Sequence, residues 1–191
     1  MDDIRRVAGR IAFAAGVLVL AGCAGAVQVT RVEHEAANFP DVFRYAAADR
    51  DLRTQIYGNP TGAPAGAFND SVVAAMQGRN GGARTHFTTA PSASARAGYR
   101  VVLAFSRDPL LSGRAVCRDV APEALAAAAE ATHLRAAFCY RERALAYVEF
   151  ASDSWASPND PRLASTVGAA VRQLFPSYDP DRPNNDGNEL E

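Results

Sequence analysis

The stretch Leu134-Arg-Ala-Ala-Phe-Cys-Tyr140, followed by Arg141-Glu-Arg143 and then by Ala144-Leu-Ala-Tyr-Val-Glu-Phe150, decides most of the predicted fold. Aliphatic and aromatic residues fill both outer runs, and a short charged segment separates them, which is typical of a β-hairpin. The run Tyr99–Phe105 is almost continuously apolar, as expected of a central strand that is covered on both faces. These segments therefore predict a sheet built around a hairpin and one central strand.

Two segments have the periodicity of amphipathic helices. The first covers Gly66–Gln77 and is followed by Gly78, which is suited to ending a helix. The second begins with Asp160 as a cap and Pro161 in the first turn, and Pro176 ends it. The apolar positions are Phe68, Val72 and Met76 in the first helix and Leu163, Val167, Ala170, Val171 and Leu174 in the second.

Shorter segments give weaker signals. We predict strands at Leu52–Tyr57 and Thr85–Thr89, and a possible short strand at Ala115–Arg118. Phe39–Ala48 fits either a short strand or a helical turn, and the alanine-rich run after Pro122 has high helix propensity. The order of elements predicts an α+β fold, in which a mostly antiparallel sheet and two main helices on one face form two layers.

The N-terminal segment has the features of an export signal. Arginines precede an apolar run, Ile11–Leu20, and small residues lead to a cysteine in Leu20-Ala21-Gly22-Cys23. This motif resembles the lipobox of bacterial lipoproteins. The resemblance implies cleavage between Gly22 and Cys23 and acylation of Cys23, so that the partner of the chain is the lipid bilayer. An uncleaved membrane anchor is the alternative reading of the same apolar run.

The same resemblance predicts where the protein lies. Two or more acyl chains hold a protein stably on a bilayer. Ala24 stands where some lipoproteins carry an aspartate that retains them in the inner membrane, so we expect the periplasmic face of the outer membrane. The predicted organisation is a signal peptide at 1–22, a lipidated tether at 23–38, a single α+β domain at 39–178 and a disordered tail at 179–191.

Composition excludes some partners. Removing residues 1–22 takes away three arginines and two aspartates and leaves a formal charge of −2. No basic or acidic bias points to nucleic acid or another polyanion. All 20 basic residues are arginine, which, together with the abundant alanine, we attribute to GC-rich coding rather than to phosphate binding.

Cysteine usage agrees with export. Once Cys23 is acylated, Cys117 and Cys139 remain, an even number for an oxidising compartment. A disulfide between them would contribute about 3 kcal/mol on the chain-entropy model. Two buried free thiols are the main alternative, and a redox or metal pair lacks the usual spacing.

The search for reactive chemistry gives no catalytic, metal or cofactor site. His34, His86 and His133 lack the spacing of a helical metal site. Ser106 follows the central strand, where a nucleophile could lie, but a polar turn explains it as well, and a nucleophile elbow is missing from the sequence. We therefore predict no cofactor and expect a protein that is not an enzyme.

One aromatic residue is a candidate contact. Trp155 lies in a polar connection before the last helix, where it could either contact a protein or glycan partner or fold back over the core. The expected function is that of a lipid-anchored periplasmic protein that serves envelope assembly or maintenance by binding another envelope component. The alternatives are a periplasmic hydrolase and a carrier that holds a small ligand between helices and sheet.

Overall fold

The computed structural model describes residues 28–34, 39–107, 112–118 and 131–177. Several predictions fall on other residues. The lipobox with Gly22 and Cys23, the helix after Pro122 and the tail at 179–191 all lie outside the described residues.

The described part contains one sheet of six strands. In chain order the strands are β1 (Gln28–His34), β2 (Asp51–Tyr57), β3 (His86–Thr88), β4 (Tyr99–Ser106), β5 (His133–Tyr140) and β6 (Arg143–Ala151). Across the sheet the order is β1-β6-β5-β4-β2-β3. The pairs β1/β6, β6/β5 and β5/β4 are antiparallel, whereas β4/β2 and β2/β3 are parallel.

The sheet is therefore mixed: three of its five strand pairs are antiparallel, and the two that involve β2 are parallel. The reason is the long connection after β2, which includes the helix α2 (Ala65–Met76) and returns the chain to the same edge for β3. A crossover of this kind joins parallel strands, whereas a short turn joins antiparallel ones. The mixed α/β character that the sequence predicts is confirmed.

The hairpin predicted at 134–150 is confirmed as β5 and β6. Tyr140 pairs with Arg143, so the turn consists of Arg141 and Glu142 alone. Arg141 has a φ of 52°, a left-handed conformation that is costly for a residue with a Cβ atom. The tight turn therefore carries backbone strain at one arginine.

The remaining helices are α1 (Phe39–Ala47), α3 (Gly113–Cys117) and α4 (Pro161–Leu174). The predicted cap of α4 is confirmed, because the Asp160 carboxylate accepts a hydrogen bond from the backbone N–H of Arg162 at 2.9 Å. Helix α1 settles the ambiguous segment as helix, and its buried residues, Phe39, Phe43, Ala46 and Ala47, have helical spacing.

The short strand predicted at Ala115–Arg118 is wrong, because α3 occupies this segment. Ser112 begins the helix: its carbonyl accepts the N–H of Val116 at 3.1 Å, and its hydroxyl accepts that of Ala115 at 3.3 Å. A single helical turn is too short to display either a 3.6-residue or a two-residue period. The sequence pattern therefore could not separate the two states.

Strand β1 lies inside the segment that the sequence assigns to the tether. Nearly all of its side chains are exposed, and it joins the edge of the sheet by pairing with β6. Backbone hydrogen bonds hold such an edge strand without burying an apolar face. For this reason no alternation of apolar residues marks Gln28–His34 in the sequence.

Strand β4 is covered on both faces, as predicted. Val101, Leu103 and Phe105 belong to a large core cluster that includes buried residues of α1, α2 and α4. Val102 and Ala104 point the other way and join a second cluster with residues of α3, β5 and β6. The two clusters hold the sheet from opposite sides.

The free edge of strand β3 is paired by the side chain of Gln77, the residue that follows α2. The amide nitrogen of Gln77 donates to the carbonyl of Phe87 at 2.7 Å, and its amide oxygen accepts the N–H of Phe87 at 3.2 Å. Gln77 thus makes the two hydrogen bonds that a further strand would make with Phe87.

The sheet has two distinguishable ends. Strand β4 runs from one to the other over eight residues, a length of roughly 23 Å. Paired positions place Gln28, Ala151, His133 and Ser106 in a row at the Gln28 end, and Arg143, Tyr140 and Tyr99 in a row at the Tyr99 end.

Candidate functional site

Two adjoining cavities open at the Tyr99 end of the sheet, with volumes of about 470 and 480 Å³. They share part of the loop between β3 and β4, and Tyr99. The first is lined by Arg53, Gln55, Arg100, Arg141 and Glu142, and the second by Tyr45, Arg50 and Tyr140. Arg96 lines both cavities. We call these residues, with Tyr99, the arginine–tyrosine cleft.

Asp51 fixes the loop that forms one wall of the cleft. Its carboxylate accepts the backbone N–H of Ser92 at 2.7 Å and contacts Nδ1 of His86 at 2.8 Å. Its own N–H donates to the hydroxyl of Ser94 at 3.1 Å. The hydrogen bonds from Ser92, followed by that from His86, lower the pKa of the Asp51 carboxyl from 3.8 to about 2.

Arg96 connects the same loop to α1. Its Nε donates to the carbonyl of Tyr45 at 2.8 Å, and its Nη1 donates to the Tyr45 hydroxyl at 3.1 Å. The guanidinium carbon lies 3.8 Å from the centre of the Tyr45 ring, which is a cation–π contact. The Tyr45 side chain is nevertheless 55% exposed, so part of its surface remains open to a partner.

Arg100 forms the floor of the first cavity and ties three segments together. Its Nη1 donates to the carbonyl of Arg141 in the hairpin turn at 2.7 Å, and its Nη2 donates to the carbonyl of Cys117 in α3 at 2.5 Å. Cys117 is bonded to Cys139 of β5, so the predicted disulfide is present, with the two Cα atoms 5.7 Å apart. Two hydrogen bonds and one disulfide therefore join α3, the hairpin and β4 to one another beneath the cavity.

Two buried polar atoms of the floor have no hydrogen-bond partner among the residues that the structure describes. They are Nε of Arg100, a donor, and Oε1 of Gln55, an acceptor. Buried polar groups are rarely left unpaired, because each costs about 1–3 kcal/mol when it is desolvated without a partner. They mark a place in the floor of the first cavity where hydrogen-bonding capacity is left unused.

A close approach fixes the rim between the loop and the hairpin. Gly98 has a φ of +83°, and a Cβ atom there would lie 3.1 Å from the Tyr140 ring. Its carbonyl accepts the N–H of Arg141 at 2.7 Å. Tyr140 and Tyr99 in turn pack with their ring centres 4.7 Å apart. The rim is therefore set by backbone contacts rather than by free side chains.

The charge of the cleft is strongly positive. Arg50, Arg53, Arg96, Arg100 and Arg141 line it, against a single carboxylate, Glu142. A guanidinium stays protonated at any pH that a protein tolerates. The cleft therefore attracts anions over the whole physiological range, although the chain as a whole is close to neutral.

A second polar cluster lies on the sheet toward the Gln28 end. The Arg135 side chain is fully buried, and its Nη2 donates to Oε1 of Glu149 at 2.7 Å. Nδ1 of His133 lies 3.2 Å from the same oxygen. Burial and the nearby Glu149 carboxylate raise the pKa of Tyr147 to about 12. The Arg135 guanidinium and the His133 ring both contact Glu149, so the core of this cluster is the internal ion pair Arg135–Glu149.

The residues singled out in the sequence do not converge. His34, His86 and His133 lie on three different strands, with His34 and His86 at opposite edges of the sheet. Ser106 is buried at the end of β4, 3% exposed. In the described ranges, no group of three or more histidine, cysteine, aspartate or glutamate residues could hold a metal ion.

Trp155 is buried rather than exposed. Only 2% of its surface is accessible, and its ring packs edge-on against Phe105 with the centres 5.3 Å apart. The expectation of a partner contact through Trp155 is therefore corrected: the side chain covers the core, the other reading of its position. Polar neighbours indicate that Trp155 lies in a loop, but they do not determine whether its ring points to the solvent or to the core.

The cleft itself was missed because its residues are distant in sequence. The arginines were attributed to coding bias, and the loop between β3 and β4 carried no binding signal. Arg53 and Arg100 become neighbours only through the parallel pairing of β2 with β4, in which Thr54 lies opposite Val101. An antiparallel arrangement would not have brought these two side chains together.

No protein-family model matches the chain, and no curated protein or solved structure is significantly similar to it. Within the part of the chain that the structure describes, none of the helices is both long enough and apolar enough to cross a bilayer.

Proposed function

We propose that this protein is a lipid-anchored component of the cell envelope that faces the periplasm, on the outer membrane rather than the inner, and binds another envelope component without transforming it. The anchoring rests on the run Leu20–Cys23, and the binding role rests on the arginine–tyrosine cleft. In this proposal helices α1, α2 and α4 form a layer on one face of the sheet and support the cleft from behind.

The cleft is the observation that carries the binding role. Arginine and tyrosine are the residues most enriched at binding hot spots, together with tryptophan. A guanidinium is permanently protonated and has no free lone pair, so the cleft arginines are suited to holding anionic groups and not to acting as general bases. The lining is therefore suited to recognition.

A site-directed crosslinker tests this role in living cells. We expect a photoreactive amino acid at Ala97, an exposed residue lining the first cavity, to give a discrete crosslinked product. The same group at Ala164, exposed on α4, is the control. Equal labelling from both positions, or none from either, would contradict binding through the cleft.

The anchor needs its own test. Cys23→Ser is expected to abolish incorporation of labelled palmitate and to release the protein from the membrane fraction. A variant that remains acylated and bound to membrane would refute the lipid anchor while leaving the cleft unaffected.

A further inference from the structure

We propose that the arginine–tyrosine cleft binds a carboxylate-bearing glycan of the cell wall. This ligand class rests on the proposed function, since it assumes that the domain faces the periplasm. Three features of the cleft support it: an open guanidinium and unpaired polar atoms in the first cavity, exposed tyrosine rings in the second, and the end of the sheet at which both cavities lie.

The guanidinium groups are available to an anion. The Arg53 side chain is exposed and makes no hydrogen bond or ion pair with the described residues. Arg141 holds the rim through its backbone groups, and its guanidinium carbon lies 5.4 Å from the centre of the Tyr140 ring, a cation–π contact. Arginine binds a carboxylate through two parallel hydrogen bonds, which gives direction as well as charge.

The rings and floor atoms fit a sugar. Tyr45 and Tyr140 are among the few large apolar side chains exposed in the described residues, at 55% and 37%. Tyrosine offers a flat apolar ring beside a polar hydroxyl, which matches the C–H face and hydroxyl rim of a pyranose. Oε1 of Gln55 accepts from a sugar hydroxyl or acetamido N–H, and Nε of Arg100 donates to an oxygen.

The size of the cleft agrees with a short glycan. Each cavity has a volume within the range of roughly 300–1,000 Å³ that bound small ligands occupy. The two cavities share Arg96 and Tyr99 in their linings, and each is large enough for a sugar ring. The open sides allow a polymer to continue past the cleft.

The position in the fold separates a wall glycan from a lipid headgroup. Cys23 precedes Gln28 by five residues, a reach of about 18 Å at full extension. The Gln28 end of the sheet is therefore held toward the acylated leaflet. The cleft lies at the Tyr99 end, roughly 23 Å further along β4. An anion presented by a polymer in the periplasm reaches this end more readily than a headgroup of the anchoring leaflet.

Binding is measured with the acylated full-length protein in detergent. The probes are a disaccharide of N-acetylglucosamine and N-acetylmuramic acid, which carries a carboxylate on a lactyl ether, and neutral diacetylchitobiose, which has the same two sugar rings without that ether. Purified cell-wall sacculi and vesicles containing anionic phospholipid are compared by co-sedimentation. We expect the acidic disaccharide to bind at least tenfold more tightly than the neutral one, and sacculi to retain protein that vesicles of matched charge do not.

Two variants assign the binding to the cleft. Arg53→Gln removes a guanidinium that supports no other contact, and the expected loss is about tenfold in affinity for the acidic disaccharide. Arg172→Gln, an exposed arginine on α4, is the matched control and is expected to leave affinity unchanged.

Equal affinity for the two disaccharides, an unaffected Arg53→Gln variant, or retention by vesicles alone would overturn the glycan assignment. These results are distinguishable from failure of the proposed function. A product crosslinked from Ala97 in cells, found together with no glycan binding, would keep the envelope role and reject the ligand.

Discussion

Arg141 shows how one residue combines backbone strain with a side chain that lines the cleft. Its φ of 52° costs about 1–2 kcal/mol for a residue with a Cβ atom. Glycine would adopt this conformation freely, yet the turn carries an arginine whose side chain lines the cleft. Strain of this kind is concentrated at functional sites, where the side chain repays it.

Replacing this arginine by glycine should separate stability from binding. We expect Arg141→Gly to raise the free energy of unfolding by up to about 1 kcal/mol, since relief of strain exceeds the entropy cost of glycine. The same variant should bind the cleft ligand less tightly. Urea denaturation measures the first effect. Asp49→Gly, at a second positive φ of 52°, is the comparison outside the cleft and should leave binding intact.

Asp51 makes the loop of the cleft sensitive to acid. Because the folded pKa is about 2 and the reference value is 3.8, the ionised carboxylate stabilises the fold above pH 3.8. This contribution is lost as the pH falls from 3.8 toward 2. We expect the urea midpoint of the natural protein to fall in this window and that of Asp51→Asn to fall less. Asp70→Asn, an exposed residue of α2, should behave as the natural protein.

At the scale of elements, the sequence predicts the helices and strands in which apolar residues recur with a regular period. The last helix carries an apolar residue on each successive turn and a capping aspartate, and the hairpin contains two strand-like runs around charged residues. Both were placed to within a few residues. Helix α3 has one turn and β1 has no buried face, so neither displays a period from which it could be recognised.

The cap of α4 provides a test of an element boundary. Asp160 accepts hydrogen bonds from the backbone N–H groups of Arg162 and Ala156 and pairs with the Arg162 guanidinium. Asp160→Ala should lower the free energy of unfolding by about 1–2 kcal/mol. Asp160→Asn keeps an accepting oxygen, so its loss should be smaller. Equal losses in urea denaturation would show that the charge pair, and not the cap, is what matters.

At the scale of the whole molecule, strand pairing decides where residues meet. The individual strands β2, β3 and β4 were predicted, but the parallel pairing of β2 with its two neighbours was not. Composition and local pattern report which face of a strand is apolar, and they carry no information on which strands lie side by side. The arginine–tyrosine cleft is a product of that pairing, and for this reason the sequence did not reveal it.

The orientation of the molecule on a bilayer can be measured directly. Under the proposed acylation of Cys23, and with Cys117 bonded to Cys139, a single added cysteine is the only free thiol to label. We expect a fluorophore at Ser154, close to the Gln28 end, to be quenched by nitroxide headgroups in reconstituted vesicles. A fluorophore at Ala97 should remain bright. Equal quenching at both positions would show that the domain lies flat and that the cleft faces the leaflet.

The amide of Gln77 has a consequence for crowding. Proteins confined to a surface meet one another far more often than in bulk solution. The unpaired edge strand of a sheet can then pair with the edge strand of another copy and start a continuous sheet. Because the Gln77 amide pairs with both the N–H and the carbonyl of Phe87, a strand of a neighbouring copy cannot form hydrogen bonds with these groups at the β3 edge. Under the proposed membrane anchor, many such molecules can therefore lie side by side without polymerising along this edge.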